Sequence, residues 1–284
     1  LPPHLHFDAC MVAMKQGKHV ICEKPLVGSL RDADILARAS EEYGCLLFPV
    51  FQYRFGPATA KLNALIQAGL AGKPLVASIE THWDRGADYY AIAWRGTWKG
   101  EQGGAVLGHA IHNHDLLCAV FGPVKRLCAF GATRVNPIEV EDCASITFEM
   151  ENGALATSSI TLGAALNTTR LRFCFENLTA QSGDIPYAPA EGDWVFAARG
   201  AVSQNQIDEC IADVTNPLSG FTGFFSAIAD KLAGLPSRAV TIADGRRSLE
   251  LVSAIYHSMR TSQHCTMPLN DSHPLYDGWL PKWT

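Results

Sequence analysis

Three features that define special classes of protein are absent from this sequence of 284 residues. It has no run of 18 apolar residues, so we expect no transmembrane helix and no membrane partner. Its 23 basic and 28 acidic side chains give a net charge of −5. This balance argues against nucleic acid as a partner, because such binding requires a concentrated positive field. The nine cysteines include no Cys-x-x-Cys pair, which is typical of buried free thiols in a cytoplasmic protein.

The sequence also lacks the Gly-x-Gly-x-x-Gly turn that binds a dinucleotide pyrophosphate at a helix N-terminus. Gly86 and the glycines within 100–104 do not follow a parallel strand, so neither segment replaces that turn. The chain begins at Leu1 rather than at Met. We therefore expect it to enter a nucleotide-binding fold after the first strand, the Gly-rich turn and the first helix, either as a fragment or as a natural truncation.

Residues 1–50 alternate between helix and buried strand. Hydrophobic periodicity predicts helices over 6–16 and 29–43. A short buried strand is predicted at 18–22, and the continuous apolar run at 45–50 is typical of parallel strands covered on both faces. The order predicts a doubly wound α/β domain that lacks its first strands.

Residues 51–284 have an α+β pattern instead. Helices are predicted over 57–68, 105–121, 221–232 and 244–260, and strands over 76–81, 124–133, 144–150, 154–161 and 170–175. The alternation within the later strands predicts an open, mostly antiparallel sheet with helices on one face. We expect this second domain to bind substrate and form oligomers, and the helix over 244–260 to pack back toward the first domain.

Six short motifs occur in the order and spacing of one enzyme family. They are Pro2-Pro3-His4-Leu5-His6, Gly17-Lys18-His19-Val20, Glu23-Lys24-Pro25-Leu26, Tyr53-Arg54-Phe55, Trp94-Arg95, and Gly103-Gly104 followed by His112-x-x-Asp115. On these motifs the whole chain resembles the glucose–fructose oxidoreductase/inositol dehydrogenase/MocA family. The resemblance implies that residues 1–50 are the C-terminal part of a Rossmann-like domain that binds NAD or NADP as cofactor. It implies hydride transfer involving a secondary alcohol of a sugar, polyol or related small molecule. It also implies a homo-oligomer, a dimer or tetramer, formed through the face of the sheet.

The resemblance assigns catalytic roles to Lys24 and His112. Lys24 directly follows a predicted buried strand, at the edge where open α/β sheets bind ligands. The resemblance implies that Lys24 hydrogen-bonds the reacting hydroxyl and that the Lys24–Pro25 peptide is cis. His112 is implied as general acid or base, because imidazole titrates near neutral pH. Asp115 is three residues further on the same helical face, where it is expected to orient the His112 ring.

One position departs from the family pattern. Family members often carry Asp four residues before the histidine, and this chain has Gly108 there, followed by His109. The substrate or the reaction can therefore differ from that of the inositol dehydrogenases, and a redox-neutral reaction on bound NAD is one alternative. We expect no metal site at His109, His112 and His114, because side chains at 112 and 114 point in different directions on a helix.

The other candidates are polar or aromatic side chains expected near cofactor or substrate. The expected cofactor contacts are Pro3, His4, Glu23, Lys24, Pro25, Gln52, Trp94 and Arg95. The expected substrate contacts are Tyr53, Arg54, His82, Asp84, His109 and Asp115. Planar and forked groups of this kind pack on a nicotinamide or bind a carboxylate or phosphate. The competing hypothesis is a truncated or non-catalytic family member that acts as a ligand-binding or interaction module.

Overall fold

The computed structural model describes residues 1–215 and 217–281. Its first part contains α1 (His6–Lys15), β1 (Val20–Cys22), α2 (Leu30–Glu42) and β2 (Leu47–Pro49). The two strands pair in parallel, with Val20 opposite Leu47. A parallel pair needs a crossover connection, and α2 provides it. The α/β order predicted for this part of the chain is confirmed.

The start of α2 shows how the local sequence determines this arrangement. Ser29 precedes the helix in an extended conformation, and its hydroxyl accepts a hydrogen bond from the backbone of Asp32 at 3.0 Å. This contact satisfies one of the N–H groups that the first turn leaves without a partner. Leu30 and Leu36 are buried on the inner side of the helix. The cap and the apolar stripe together fix where α2 begins and which side it buries.

The rest of the chain is longer and more varied. It contains α3 (Pro57–Gln67), β3 (Pro74–Asp84), α4 (Ala87–Tyr90), α5 (Trp98–Glu101), a π-helical segment (Val106–Ala110) that continues into α6 (Ile111–Phe121), β4 (Val124–Ala132), β5 (Cys143–Met150), β6 (Leu155–Thr161), β7 (Gly163–Phe175), β8 (Leu178–Gln181), β9 (Val195–Ala198), α7 (Gln204–Ala212), α8 (Gly220–Leu232), α9 (Ile242–Thr261) and β10 (Cys265–Thr266). The sequence pattern does not predict β8, β9, β10 or α7. The three strands have four residues or fewer, which is too short to show a clear alternation.

Eight strands form one sheet in the order β10-β4-β5-β6-β3-β7-β8-β9. The pair β3–β6 is parallel, and the other neighbouring pairs are antiparallel. Alternate residues of β5 and β6 are buried, and the helices α6 and α9 contact the sheet at β3 and β4. The other residues of these strands, such as Leu155, are exposed. The predicted open, mostly antiparallel sheet with helices on one face is therefore confirmed.

Helix α9 contacts both parts of the chain. It packs against α2 and β2 on one side and against β4 on the other. Arg246 of α9 pairs with Asp34 of α2 at 2.6 Å, and the Ser258 hydroxyl accepts a hydrogen bond from the backbone of Ala129 in β4 at 2.9 Å. These contacts agree with the packing predicted for this helix. The division of the chain after residue 50 stays a prediction.

The segment after Met267 has no regular helix or strand within the described residues, but it is held firmly. The Tyr276 hydroxyl donates to Asp34 at 2.6 Å. The fully buried Trp279 donates from its indole nitrogen to the Gln102 carbonyl oxygen at 2.7 Å. The segment thus covers the chain near the start of the helix that carries His112.

The start of that helix crosses the chain before β5 very closely. The Ala105 N–H donates to the Glu141 carbonyl oxygen at 2.8 Å, and a Cβ atom on Gly104 would overlap that same oxygen. Glycine is required at 104 because it alone lacks this atom. A Cβ on Gly108, by contrast, would meet no atom within 4 Å.

These two glycines provide a matched test of the crossing. We expect Gly104→Ala to lower the free energy of unfolding by about 1–3 kcal/mol, because the added methyl group must displace the Glu141 backbone. We expect Gly108→Ala to change it by less than about 1 kcal/mol, because the methyl group enters open space and alanine favours a helix. Urea unfolding of both variants measures the difference. Equal losses of stability would contradict the close crossing.

Candidate active site

Lys24 lies just beyond β1 and reaches the π-helical segment of the second part of the chain. Its Nζ donates to the Gly108 carbonyl oxygen at 2.7 Å, and the Lys24–Pro25 peptide is cis, as the resemblance implies. Burial lowers the pKa of Lys24, with Glu23 and Glu101 opposing this effect. Across the described residues, no ion pair includes Lys24. The structure therefore holds a partly buried amine that forms no ion pair beside a π-helical turn, and such turns are often found at functional sites.

His112 is held between aromatic rings at the start of α6. Its ring stacks on Tyr53, with 4.6 Å between centroids and 27° between planes, and it meets Phe51 edge-on at 5.8 Å. Its Nδ1 has no hydrogen-bond partner within the described chain. Burial lowers the pKa of His112 well below its ordinary value, and Lys24 and His109 add to this effect. An uncharged imidazole with an unpaired nitrogen can accept a proton.

His109 lies in the π-helical segment on the side of β3. Its ring meets Trp83 edge-on at 5.3 Å and Tyr89 at 5.9 Å. Burial lowers the pKa of His109 to about 3, and the nearby charges of Lys24, Arg85 and Arg95 act in the same direction. His109 is therefore uncharged near neutral pH. The structure brings it together with Lys24 and His112.

Two arginines and a group of aromatic rings border the histidines. The Arg85 guanidinium lies 5.1–5.7 Å from the ring centroids of Trp83, Tyr89 and Tyr187, and it donates to the Tyr187 hydroxyl at 2.8 Å. The Arg95 guanidinium lies 3.8 Å from the Tyr89 ring centroid. Cations bound over aromatic faces in this way are held in orientation without neutralisation of their charge. We call Arg85, Tyr89 and Arg95 the arginine–tyrosine cluster.

Several predicted cofactor contacts border a cleft of about 860 Å³. Its lining includes His4 from the first part of the chain and Trp94 from the loop after β3. Trp94 is half exposed, so one face of its ring is available to a ligand. The side-chain oxygen atoms of Gln52 and Gln102 are buried and have no hydrogen-bond partner in the described residues. Flat rings and unpaired amide oxygens are groups that a nicotinamide can use. Among the other predicted contacts, Glu23 is exposed, Pro3 is partly buried and Pro25 is buried.

Arg54 and Asp115 bind each other instead of facing the reacting groups. Arg54 Nε and Nη2 donate to the two Asp115 carboxylate oxygens at 2.7 and 2.6 Å, and Nη2 also reaches Asp244 of α9 at 3.1 Å. The prediction that Asp115 orients the His112 ring is wrong, because both of its oxygens are bound by Arg54. The prediction of both residues as substrate contacts stays a prediction. Their pairing joins α6 to α9 and fixes the segment that contains Tyr53.

Strand β3 directs His82 and Asp84 away from His109. Successive side chains of a strand point to opposite faces, and the buried Trp83 donates to the Thr169 hydroxyl at 3.1 Å on the covered face. His82 instead hydrogen-bonds the Ser159 hydroxyl at 3.0 Å. The structure therefore does not bring His82 and Asp84 together with His109, and their role as substrate contacts stays a prediction. Trp83 is the side chain of this segment that reaches the site, and the alternation of β3 is the signal that identifies it.

His114 points toward the sheet rather than toward the other histidines. Its Nε2 lies 2.9 Å from the Ser158 hydroxyl, whereas His112 stacks on Tyr53. In the part of the chain that the structure describes, no group of three or more His, Cys, Asp or Glu residues could hold a metal ion. In the same residues, no helix is long and apolar enough to cross a membrane.

A buried carboxylate caps the helix that carries the histidines. Glu141 accepts hydrogen bonds from the Val106 N–H at 3.0 Å and from the Gly104 N–H at 3.2 Å, and the Tyr256 hydroxyl donates to it at 3.1 Å. Burial raises the pKa of Glu141 to about 7, although these donors oppose the shift. A carboxylate at this end of a helix also interacts favourably with its dipole. No local motif identifies this cap, because Glu141 is far from the helix in sequence.

The raised pKa of Glu141 leads to a pH-dependent stability. Its ordinary value is 4.5 and its value in the fold is about 7, so the folded protein holds this proton more tightly than the unfolded chain. The resulting stabilisation is complete below about pH 4.5 and is lost as pH rises through about 7. We expect the free energy of unfolding of the wild type, minus that of Glu141→Gln, to fall by up to about 3 kcal/mol over this range.

Urea unfolding at a series of pH values measures that difference. Glu139→Gln, at an exposed carboxylate two residues away, is the control and should follow the wild type. If the free energy of unfolding of the wild type, minus that of Glu141→Gln, stays constant with pH, the titration of Glu141 is contradicted.

Comparison with known proteins agrees with this fold. Residues 1–51 match the model of an oxidoreductase family with an NAD-binding Rossmann fold, and residues 59–181 match that of the GFO/IDH/MocA C-terminal domain. The structure of the WlbA dehydrogenase from Bordetella pertussis superposes with a TM-score of 0.81 at 26% sequence identity, over 95% of this chain and 77% of that one. It was solved in complex with NADH and UDP-GlcNAcA.

Two curated relatives give similar values. An uncharacterized oxidoreductase, sll0816 from Synechocystis sp., is 29% identical over 174 residues, which are 56% of this chain and 46% of its own length. Myo-inositol 2-dehydrogenase from Thermotoga maritima is 28% identical over 158 residues, which are 53% of this chain and 44% of its own. This chain thus spans about half the length of the curated relatives it matches. It belongs to the glucose–fructose oxidoreductase/inositol dehydrogenase/MocA family of oxidoreductases.

Proposed function

We propose that this protein is an NAD(P)-dependent oxidoreductase that acts on a secondary alcohol of a sugar, polyol or related small molecule. The observation that carries the proposal is the convergence of Lys24 and His112 beside the π-helical segment. The family relationship supports it, since the related WlbA structure contains NADH with a nucleotide sugar and another relative is an inositol dehydrogenase.

The chain has groups that fit the nicotinamide end of the cofactor. Trp94 has one exposed ring face on the cleft, His4 lines the same cleft, and the side-chain oxygen of Gln52 is buried without a partner. We propose these residues, with Glu23 and Pro25, as cofactor contacts. When bound, the cofactor supplies the hydride acceptor or donor, and the protein supplies orientation and proton transfer.

We assign the proton transfer to Lys24 and His112. In the direction of oxidation, the Lys24 ammonium donates a hydrogen bond to the substrate hydroxyl and stabilises negative charge that develops on its oxygen. His112, which is uncharged, takes the proton of that hydroxyl through an unpaired ring nitrogen. In the direction of reduction, the same groups return the proton. The lowered pKa of Lys24 makes it a better proton donor to an alkoxide than an exposed lysine.

The burial of these groups disfavours the competing hypothesis of a non-catalytic binding module. A partly buried ammonium that forms no ion pair in the described residues and a buried imidazole nitrogen without a partner both destabilise the fold. Such groups persist where the chemistry of a site requires them. A module that only bound ligand or protein would gain stability by replacing Lys24 with an uncharged residue.

The open face of the sheet and the thiols complete the proposal. β6 and β9 expose Leu155 and Val195 on the side opposite α6 and α9, which supports a dimer or tetramer formed through this face. The nine cysteines are free thiols, and most intracellular compartments keep thiols in this state. We therefore propose a homo-oligomer that works in a reducing compartment.

Replacement of Lys24 tests the proposed mechanism. In the intact protein with saturating NAD or NADP, we expect Lys24→Met to lower kcat by about 10²–10⁴-fold, because a positioned proton donor and charge is lost. Cofactor binding, measured by nicotinamide fluorescence, should change much less than kcat. Lys18→Met is the control, because Lys18 is exposed and lies before β1. Unchanged turnover of Lys24→Met across a panel of sugars and polyols would remove Lys24 from the mechanism.

A further inference from the structure

We infer that the substrate is an anionic sugar derivative, with a carboxylate or phosphate group that binds Arg95 in the arginine–tyrosine cluster. This inference rests on the proposed function and names the class of its substrate. It is carried by the charges around the histidines, by the hydrogen bonds that Arg95 does not make, and by the space beside Gly108.

The site has three positive charges and fewer negative charges to balance them. Lys24, Arg85 and Arg95 all lie near enough to His109 to lower its pKa. No ion pair within the described residues includes any of the three. Two carboxylates offset part of this charge: Glu101 lies near Lys24 and Arg95, and Glu23 lies near Lys24. Three cations against two carboxylates leave the site with an excess of positive charge. A partly buried site with this excess of positive charge favours a negatively charged ligand.

The Arg95 guanidinium is held in one orientation but has a donor without a hydrogen-bond acceptor. Its guanidinium lies over the Tyr89 ring at 3.8 Å, and its Nε is buried without a hydrogen-bond partner in the described chain. A buried donor without an acceptor destabilises the free protein, so an acceptor on the ligand is favoured. The planar guanidinium matches the two oxygens of a carboxylate or phosphate. The Arg85 Nε is also buried without a partner in the described chain, but Arg85 differs from Arg95 because its Nη atoms already donate to the Asp84 carbonyl oxygen and to the Tyr187 hydroxyl.

Gly108 leaves space for such a ligand and does not reduce the positive charge of the site. A side chain at 108 would meet no atom within 4 Å of its Cβ, so the space beside the Lys24 contact is open. An aspartate at this position would neutralise part of the positive field and repel an acidic substrate. Gly108 and the neutral His109 neither reduce the positive field nor repel an acidic substrate. The departure at 108 and the unpaired Arg95 therefore have one explanation, which is that the substrate brings its own negative charge.

Matched sugars test the inference in the intact protein with saturating cofactor. The pairs are glucuronate with glucose and galacturonate with galactose, and glucose 6-phosphate is a separate arm for phosphate. We expect at least one acidic sugar to exceed its neutral partner in kcat/KM by about 10–100-fold, the value of a charge-assisted hydrogen bond. A preference for the uronates identifies carboxylate, and a preference for glucose 6-phosphate identifies phosphate. Equal kcat/KM values within every pair would overturn the inference.

Variants at Arg95 assign the effect to one residue. We expect Arg95→Gln to raise KM for the preferred acidic sugar by about 10–100-fold and to leave the neutral sugars unchanged. Arg95→Lys keeps the positive charge but loses the planar guanidinium that can bind two oxygens. Its KM for the acidic sugar should therefore lie between those of the wild type and Arg95→Gln. Arg38→Gln, at an exposed site on α2, is the control. A rise in KM for the cofactor alone would overturn the inference and leave Arg95 as a cofactor contact.

Charge at position 108 and direct binding complete the test. Gly108→Asp should reduce the preference for the acidic sugar, whereas the isosteric Gly108→Asn should retain more of it. Thermal-shift titration measures binding without turnover. If uronates or sugar phosphates bind in an Arg95-dependent manner but no sugar is oxidised, the inference stands and the proposed function fails. If only neutral sugars are oxidised, the proposed function stands and the inference fails.

Discussion

The hydrogen bond from Lys24 Nζ to the Gly108 carbonyl oxygen brings the reacting groups together. Lys24 lies at the edge of a parallel sheet, and Gly108 lies in a π-helical segment that belongs to the second part of the chain. The contact takes an ammonium group out of water without an ion pair in the described residues. Burial keeps His109 and His112 uncharged, and the Lys24 charge adds to that effect and gives the site a positive field.

The helix that offers this carbonyl group is fixed by two contacts beyond the reacting groups. Glu141 binds its first N–H groups, at a crossing so close that Gly104 cannot carry a side chain. The Arg54–Asp115 pair, extended to Asp244, attaches α6 to α9. A buried ion pair adds little net stability compared with apolar packing, but it specifies one arrangement of the helices that it joins. The orientation of His112 is therefore set by its helix and by the Tyr53 ring rather than by a carboxylate hydrogen bond.

Much of the fold could be predicted from the sequence, because its helices and longer strands have clear periodicity. The positions of Lys24 and His112 followed from motif spacing, and the structure brings them close together. Asp115 was wrongly assigned, since residues that share a helix face can be claimed by a partner far away in sequence, in this case Arg54. The separation of His82 and Asp84 from His109 could not be predicted, because the strand around Trp83 is longer than its apolar core suggests. Glu141 could not be predicted, because its role depends on a crossing between distant segments.

The one parallel pair in the large sheet also affects the order in which the molecule can form. β3 lies between β6 and β7, so its partners on both sides are provided more than 70 residues later in the chain. The antiparallel strands β4, β5 and β6 can associate through short connections, whereas β3 must wait until the segment that includes α6 has crossed the sheet. Contacts between distant segments are slow to form because the intervening chain must first be ordered. During synthesis, the strand that carries Trp83 is therefore made early and is paired late.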